Sequence, residues 1–368
     1  MLQRREKAFY RKEQLEYGMN DKSISVGIIG LNHGVRLLLP ALIRSKQVNS
    51  ISLAGSNSSI GKKIVSQNHD FSILSVDELI ESENTQAIFV CTPPTTHLEL
   101  VARSLYSGKF VYCEKPGGLN SAEIMEVSRL SNKAGRPVVI GYEYRFDPFI
   151  IFLKNYLEKI DSSILRLVQV DWETSGALNH DRQIWKREGA KGGEVVRDFL
   201  PHVIDYLKFC LPSVLKDYRD DEITVRTGVI EYDQIQLHFY IRNIEFKISI
   251  SRRSANPIGH RIRVLGEEKD IEIVRNQPYS LESGHIFINA RPIDIRTSIE
   301  IANEITDIES DSTFRNSLQT YATDVLVEKF LLSCSDGDFS RAPSIHEALE
   351  NMQMIDFIVD RICIGLRE

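Results

Sequence analysis

The chain has 368 residues, 42% hydrophobic and 26% charged, a balance that builds globular domains and leaves room for two cores. A net charge of −6 gives no general attraction to nucleic acid, and no window reaches the roughly 18 apolar residues of a membrane span. Residues 1–20 carry charges throughout with no apolar stretch between them, so no secretory leader is read there and the cytoplasm is the expected compartment.

Residues 1–23 read as an N-terminal extension, either a flexible arm or a solvated helix. From residue 24 buried strands alternate with helical segments. The strands are ISVGII, ISLAG (51–55), AIFVCT (87–92), KFVYC (109–113) and PVVIGY (137–142). The helical segments are VRLLLPALIRS, Ile60 to Gln67, Val76 to Glu81, His97 to Ser107 and Ser121 to Gly135. Such alternation over 24–150 predicts a Rossmann-type, doubly wound parallel sheet that binds a dinucleotide. Beyond residue 150, LRLVQVDWET, EITVRTGVIEY, QIQLHFYIR, IEFKISISR, HRIRVLG and KDIEIVRN follow one another with short turns. They predict a largely antiparallel open sheet over 151–310, serving substrate and oligomerisation. One helix, from about Gly192 to Leu211, interrupts them, and Pro201 must kink it or start a new one. Helical periodicity returns over 311–368, where the helices are expected to pack back on the first domain. The fold class is thus α/β plus α+β.

The turn after the first strand reads Gly30-Leu31-Asn32-His33-Gly34. Small residues there let backbone N–H groups approach a pyrophosphate, and Asn32, at the place of a second glycine, tolerates left-handed backbone. Gly30, Asn32, His33 and Gly34 are therefore candidate cofactor contacts. At the end of the second strand stand Ser56 and Asn57, with Lys62 and Lys63 beyond, where a carboxylate would hold an NAD ribose. Hydroxyls and cations in that place favour NADP over NAD. Thr92, Pro93 and His97 lie in the loop after the third long strand and complete that edge.

Glu114-Lys115-Pro116 closes the strand KFVYC, presenting a cation where open α/β sheets bind ligands. Asp198, His202 and Asp205, at i, i+4 and i+7, share one helix face. Moving a hydride off an alcohol carbon requires removal of the hydroxyl proton. His202 is suited to take it and Lys115 to stabilise the developing alkoxide. Asp198 would orient the imidazole or hold a substrate hydroxyl, and Asp205 is a further partner. Tyr142, Tyr144 and Arg145 close the strand PVVIGY, and Trp185, Lys186 and Arg187 precede the His202 helix. Among these, Tyr142, Arg145, Trp185, Asp198 and His202 are candidate substrate contacts.

The ordered set GIIGLNHG, TPPTTH, EKP, GYEYRFDP (141–148) and GGEVVRDFLPHVID (192–205) resembles the glucose-fructose oxidoreductase and inositol dehydrogenase family, over about residues 24 to 360. The resemblance implies an NAD(P)-dependent oxidoreductase of sugars or cyclitols. It places Lys115 beside the nicotinamide and reacting hydroxyl, with Glu114 at the same cofactor edge. It also carries the D-x-G-x-H-x-x-D pattern onto Asp198, His202 and Asp205, the histidine transferring the proton. Leu200 departs from the glycine of that pattern, and a narrower pocket or an altered substrate choice would follow.

The expected substrate is a sugar, a nucleotide sugar or a cyclitol. One rival is a retained-cofactor eliminase or hydrolase, and another is a non-catalytic dinucleotide sensor. Cys91, Cys113, Cys210, Cys334 and Cys363 are widely spaced among apolar neighbours and read as reduced thiols, so no structural metal is expected. The exposed face of an open sheet commonly needs covering, which predicts a homodimer or homotetramer.

Overall fold

The computed structural model of the chain describes residues 23–32, 34–55, 71–178, 194–216, 218–276, 283–295 and 318–365. The N-terminal arm and the expected helix from Ile60 to Gln67 lie outside them.

Six strands form a parallel sheet: β1 (Ile24–Ile29), β2 (Val48–Ala54), β3 (Phe71–Ile73), β4 (Ala87–Val90), β5 (Phe110–Cys113) and β6 (Val138–Ile140), in the order β3-β2-β1-β4-β5-β6. Alternate side chains enter two cores, Val26, Ile28 and Phe89 one way and Ile29, Ile88 and Val90 the other, so both faces are covered. Helices His97–Tyr106 and Ser121–Ala134 contribute Leu100, Val101, Ile124 and Val127 to one core. The helix Leu318–Asp336 contributes Leu326, Val327 and Phe330 to the other, Phe330 meeting Phe89 edge-on with ring centroids 5.1 Å apart.

The apolar run after β1 does not form one regular helix. It opens as a π-helical turn, Gly34–Leu38, and becomes α-helical only over Leu39–Arg44. Pro40 explains the change, since it has no N–H to bond four residues back and fits only a helix's first turn.

The second sheet has eight strands: β7 (Leu165–Glu173), β8 (Ile223–Ile230), β9 (Gln234–Ile241), β10 (Ile244–Ser251), β11 (Gly259–Gly266), β12 (Asp270–Arg275), β13 (Gly284–Ile288) and β14 (Arg291–Ile293). Their order is β14-β13-β12-β11-β7-β10-β9-β8, antiparallel except where β7 and β10 run parallel. Val168, Val170, Leu237, Phe239, Phe246 and Ile248 pack from its inner face into the core shared with Leu200–Cys210 and Ile345–Gly365. On the outer face His238 and Lys247 both reach Glu245, at 2.7 and 2.9 Å.

PFIIFLKNYL, to which the sequence reading assigned no element, forms a helix, Pro148–Leu157. The segment from about Gly192 to Leu211 forms two helices, Val195–Asp198 and Leu200–Cys210, parted at Phe199, and Pro201 starts the second, one of the two outcomes expected of it. Helix Ile345–Gly365 packs on Ser121–Ala134, on Leu200–Cys210 and on β8, and so joins the two sheets. Among the described residues no helix is long and apolar enough to cross a membrane.

Candidate active site

The strand order reverses between β1 and β4, and ligands of open α/β sheets bind outside the carboxyl ends at such a point. Two connections meet there. Gly30 has φ +109°, its amide donates to the Ala54 carbonyl at 2.9 Å, and a Cβ built on it would lie 2.5 Å from the Cys91 carbonyl oxygen. Only glycine permits both the dihedral and the approach. At Gly34 a Cβ would lie 2.7 Å from Ile28 Cγ2, so its absence lets the helical run start directly on β1. Asn32 is exposed in the turn, its carbonyl accepting from the Arg36 amide at 3.3 Å. Thr92 and Pro93 are half-buried, and Thr92 Oγ1 accepts from Thr96 Oγ1 at 2.7 Å. Backbone and small side chains thus line the edge where β1 and β4 part, a fit for a dinucleotide.

His97 is fully buried and its Nε2 donates to the Thr92 carbonyl at 2.8 Å. Burial pushes its pKa down to about 4, so the ring is neutral and braces the loop from beneath. His33, Ser56 and Asn57, with the lysines that suggested NADP, lie outside the described residues.

Lys115 follows β5, half-buried, with a cis peptide to Pro116. Its Nζ donates to the Asp198 carbonyl and, at 3.0 Å, to Asp198 Oδ1. The other carboxylate oxygen of Asp198 accepts from Arg252 Nη1 at 3.0 Å. Arg252 is 2% exposed and also reaches Asp233 Oδ1 at 2.7 Å and the Tyr232 carbonyl at 3.0 Å. Asp198 therefore holds the ammonium between two sheets.

His202 sits in the first turns of Leu200–Cys210, its ring packed edge-on against Tyr144 and Tyr142 with centroids 4.8 and 6.2 Å apart. Its Nδ1 lies 3.9 Å from Glu143 Oε2. Burial first, then the neighbouring Glu114, push the Glu143 carboxyl up to about 7, while Lys115 pulls it the other way. Lys115 and His202 thus both act on the buried Glu143 carboxyl, the first through its charge and the second from 3.9 Å. Glu114 is itself buried, with the Tyr112 hydroxyl 3.4 Å from Oε1. Sequence reasoning passed over Glu143 and Arg252. The signal for Glu143 was a lone carboxylate between two tyrosines in GYEYRFDP, whereas Arg252 carried none.

The remaining candidates serve the frame. Asp205 is paired with Arg145, through Nε at 2.7 Å and Nη2 at 2.6 Å, and accepts from Asn351 Nδ2 at 2.9 Å. Arg145 also reaches Glu347 at 2.9 Å, so its guanidinium is committed within the protein. Tyr142 is fully buried, and Leu200 packs into the core. Trp185, Lys186 and Arg187 lie outside the described residues. Among the described residues no cluster of His, Cys, Asp and Glu could hold a metal ion.

The sequence model of the oxidoreductase family with an NAD-binding Rossmann fold matches residues 24–142, which include Gly30, Gly34, Thr92 and Lys115. The matched segment is about a third of the chain, and over it the chain is similar to that family. The chain is 38% identical over 200 residues to a myo-inositol 2-dehydrogenase of Thermotoga maritima, covering 52% of this chain and 57% of that protein. It is 22% identical over 220 residues to an inositol 2-dehydrogenase of Rhizobium meliloti, covering 57% and 63%. The chain thus spans about three-fifths of the length of these curated relatives. An inositol dehydrogenase homologue from Azotobacter vinelandii, solved with NAD+, shares the fold at a TM-score of 0.75 and 16% identity, over 94% of this chain and 96% of that one.

Proposed function

We propose that this oxidoreductase transfers a hydride between a nicotinamide dinucleotide and a secondary CH–OH carbon of a sugar, nucleotide sugar or cyclitol. The observation that carries the reading is a held ammonium, Lys115, paired with Asp198 at 3.0 Å, together with an imidazole, His202, 3.9 Å from Glu143, a buried carboxyl on which the charge of Lys115 also acts. A bound nicotinamide supplies the hydride acceptor. The chain's own residues do the rest. His202 takes the hydroxyl proton, Lys115 donates to the developing alkoxide, and Asp198 with Arg252 fixes the ammonium. Gly30, Asn32, Gly34, Thr92, Pro93, Glu114 and Lys115 border the dinucleotide. The inositol dehydrogenases of Thermotoga and Rhizobium support a cyclitol or a related polyol as substrate. Ser56, Asn57, Lys62 and Lys63, with no carboxylate among them, support NADP ahead of NAD.

The test is to titrate the protein with NADPH and NADH and then to screen polyols and keto-sugars for turnover. A tenfold preference for NADPH, about 1.4 kcal/mol, is expected. Lys115→Met and His202→Ala should each lower kcat by about a hundredfold or more while the dinucleotide still binds. Full turnover in both variants would defeat the assignment, and an unchanged biological output without turnover would favour a sensor.

A further inference from the structure

We infer that Glu143 is the second station of the transferred proton: His202 accepts it from the substrate hydroxyl at one ring nitrogen and passes one on from Nδ1 to Glu143. This rests on the dehydrogenase reading and deepens it. Glu143 opens the 3-10 turn Glu143–Phe146 just past β6 and is 7% exposed. Its Oε2 stands 3.9 Å from His202 Nδ1, and its Oε1 accepts from Gln319 Nε2 at 3.2 Å. One small side-chain rotation, or one water, closes the first distance, and catalytic hydrogen bonds are commonly long before substrate binds. Tyr142 and Tyr144 pack edge-on against the imidazole and limit the directions its ring nitrogens can take.

Charge supplies a second argument. Asp198 shares Lys115 and Arg252, and Asp233 shares Arg252, so both cations already serve those two carboxylates. Glu114 and Glu143 stand near each other in the same buried region, where two negative charges resist forming together. Burial and Glu114 bring the Glu143 carboxyl to about 7, so near neutrality it can both take up and release a proton. The titratable groups facing Glu143 are Tyr112, Glu114 and Lys115 from β5 and its following loop, and His202. The helix Leu318–Asp336 offers the uncharged Gln319 amide.

The step balances. In the oxidising direction the C–H bond breaks and hydrogen leaves with its electron pair to the oxidised nicotinamide, while the hydroxyl O–H breaks, its electrons form the C=O bond, and an N–H forms on His202. The Nδ1–H bond then breaks and an O–H forms on Glu143, which later gives its proton to solvent, and the imidazole regains its starting tautomer by exchanging its ring protons with solvent before the next turnover. Reduction runs the same transfers backwards.

The experiment compares wild type with Glu143→Gln and Glu143→Asp. Nuclear magnetic resonance of the protein alone, without cofactor, follows the His202 ring. Glu143→Gln should lower its pKa by about one unit, since a neighbouring carboxylate favours the imidazolium. Infrared difference spectra should show a protonated-carboxyl band that titrates near neutrality in wild type and is missing in Glu143→Gln. With a polyol substrate, Glu143→Gln should lower kcat about tenfold or more and move the pH profile of kcat. Dinucleotide affinity should stay within twofold, and Glu143→Asp should recover part of the rate. A substrate-active enzyme whose Glu143→Gln variant keeps its kcat, its profile and its His202 titration overturns the relay alone. Coupled titration in a protein that turns over no polyol overturns the dehydrogenase reading, and the relay falls with it because no substrate proton enters.

Discussion

Asp198 is gripped by Lys115 on one side and Arg252 on the other, and this explains why a half-buried ammonium near a sheet edge keeps a fixed position. Breaking such a cluster at one member leaves the others buried without compensation. Arg252→Met should therefore destabilise the protein by about 3–5 kcal/mol, read as a lower urea midpoint. It should also lower kcat, since the ammonium loses the anchor of its partner. Gly30→Ala places a methyl against the Cys91 carbonyl at a dihedral that disfavours it. We expect a loss of roughly 1–3 kcal/mol from the dihedral alone, with weakened dinucleotide binding measured by fluorescence titration. Lys115 and His202 stood out because a Lys-Pro strand end and a histidine between two carboxylates are local patterns, although Asp198 and His202 lie on two helices parted at Phe199 and share no single helix face. Arg252 meets Asp198 across 54 residues of chain, and no local pattern records that.

The 3-10 turn Glu143–Phe146, the helix Leu200–Cys210 and the helix Ile345–Gly365 are fastened by one buried set, Arg145, Asp205, Glu347 and Asn351. Asp205 is 1% exposed, and burial pushes its carboxyl up in spite of the guanidinium. Arg145→Leu removes that guanidinium and should cost about 3–5 kcal/mol by chemical denaturation, whereas replacing Arg145 and Asp205 together with apolar residues should cost less. The strands of the parallel sheet were readable from short apolar runs between helical segments. The helix Pro148–Leu157 was not, because PFIIFLKNYL is apolar almost all round and carries little helical period. The parallel pairing of β7 with β10 was hidden for a different reason. Every strand alternates alike whichever way its neighbour runs, and direction is set by the path of the intervening chain.

Over the entire protein, two buried groups set opposite trends of stability with pH. His97 has a folded pKa of about 4 against about 6.5 unfolded, so its contribution is complete above 6.5 and is lost as pH falls toward 4. The unfolded chain binds the extra proton in that window, and the loss is on the order of 3 kcal/mol. Glu143, raised to about 7, behaves in the reverse sense: its contribution is present below about 4.5 and is lost as pH rises through 7. Urea midpoints taken across this range should show a flatter acid limb in His97→Gln and a gain above pH 7 in Glu143→Gln. Slopes identical to wild type would remove these groups as the cause. Dinucleotide binding should add to stability by mass action, about 2.7 kcal/mol at a hundredfold excess over Kd, and at equal concentration NADPH should raise Tm more than NADH.

Lys115 extends from the end of one sheet while Asp198 and Arg252 belong with the other, so the two layers are latched by a contact between opposite charges. If the proposed dinucleotide leaves by a breathing motion that parts them, that motion has to unfasten the latch. Dissolved ions would ease the rupture, and the rate of cofactor escape should quicken with ionic strength even where the chemical step does not.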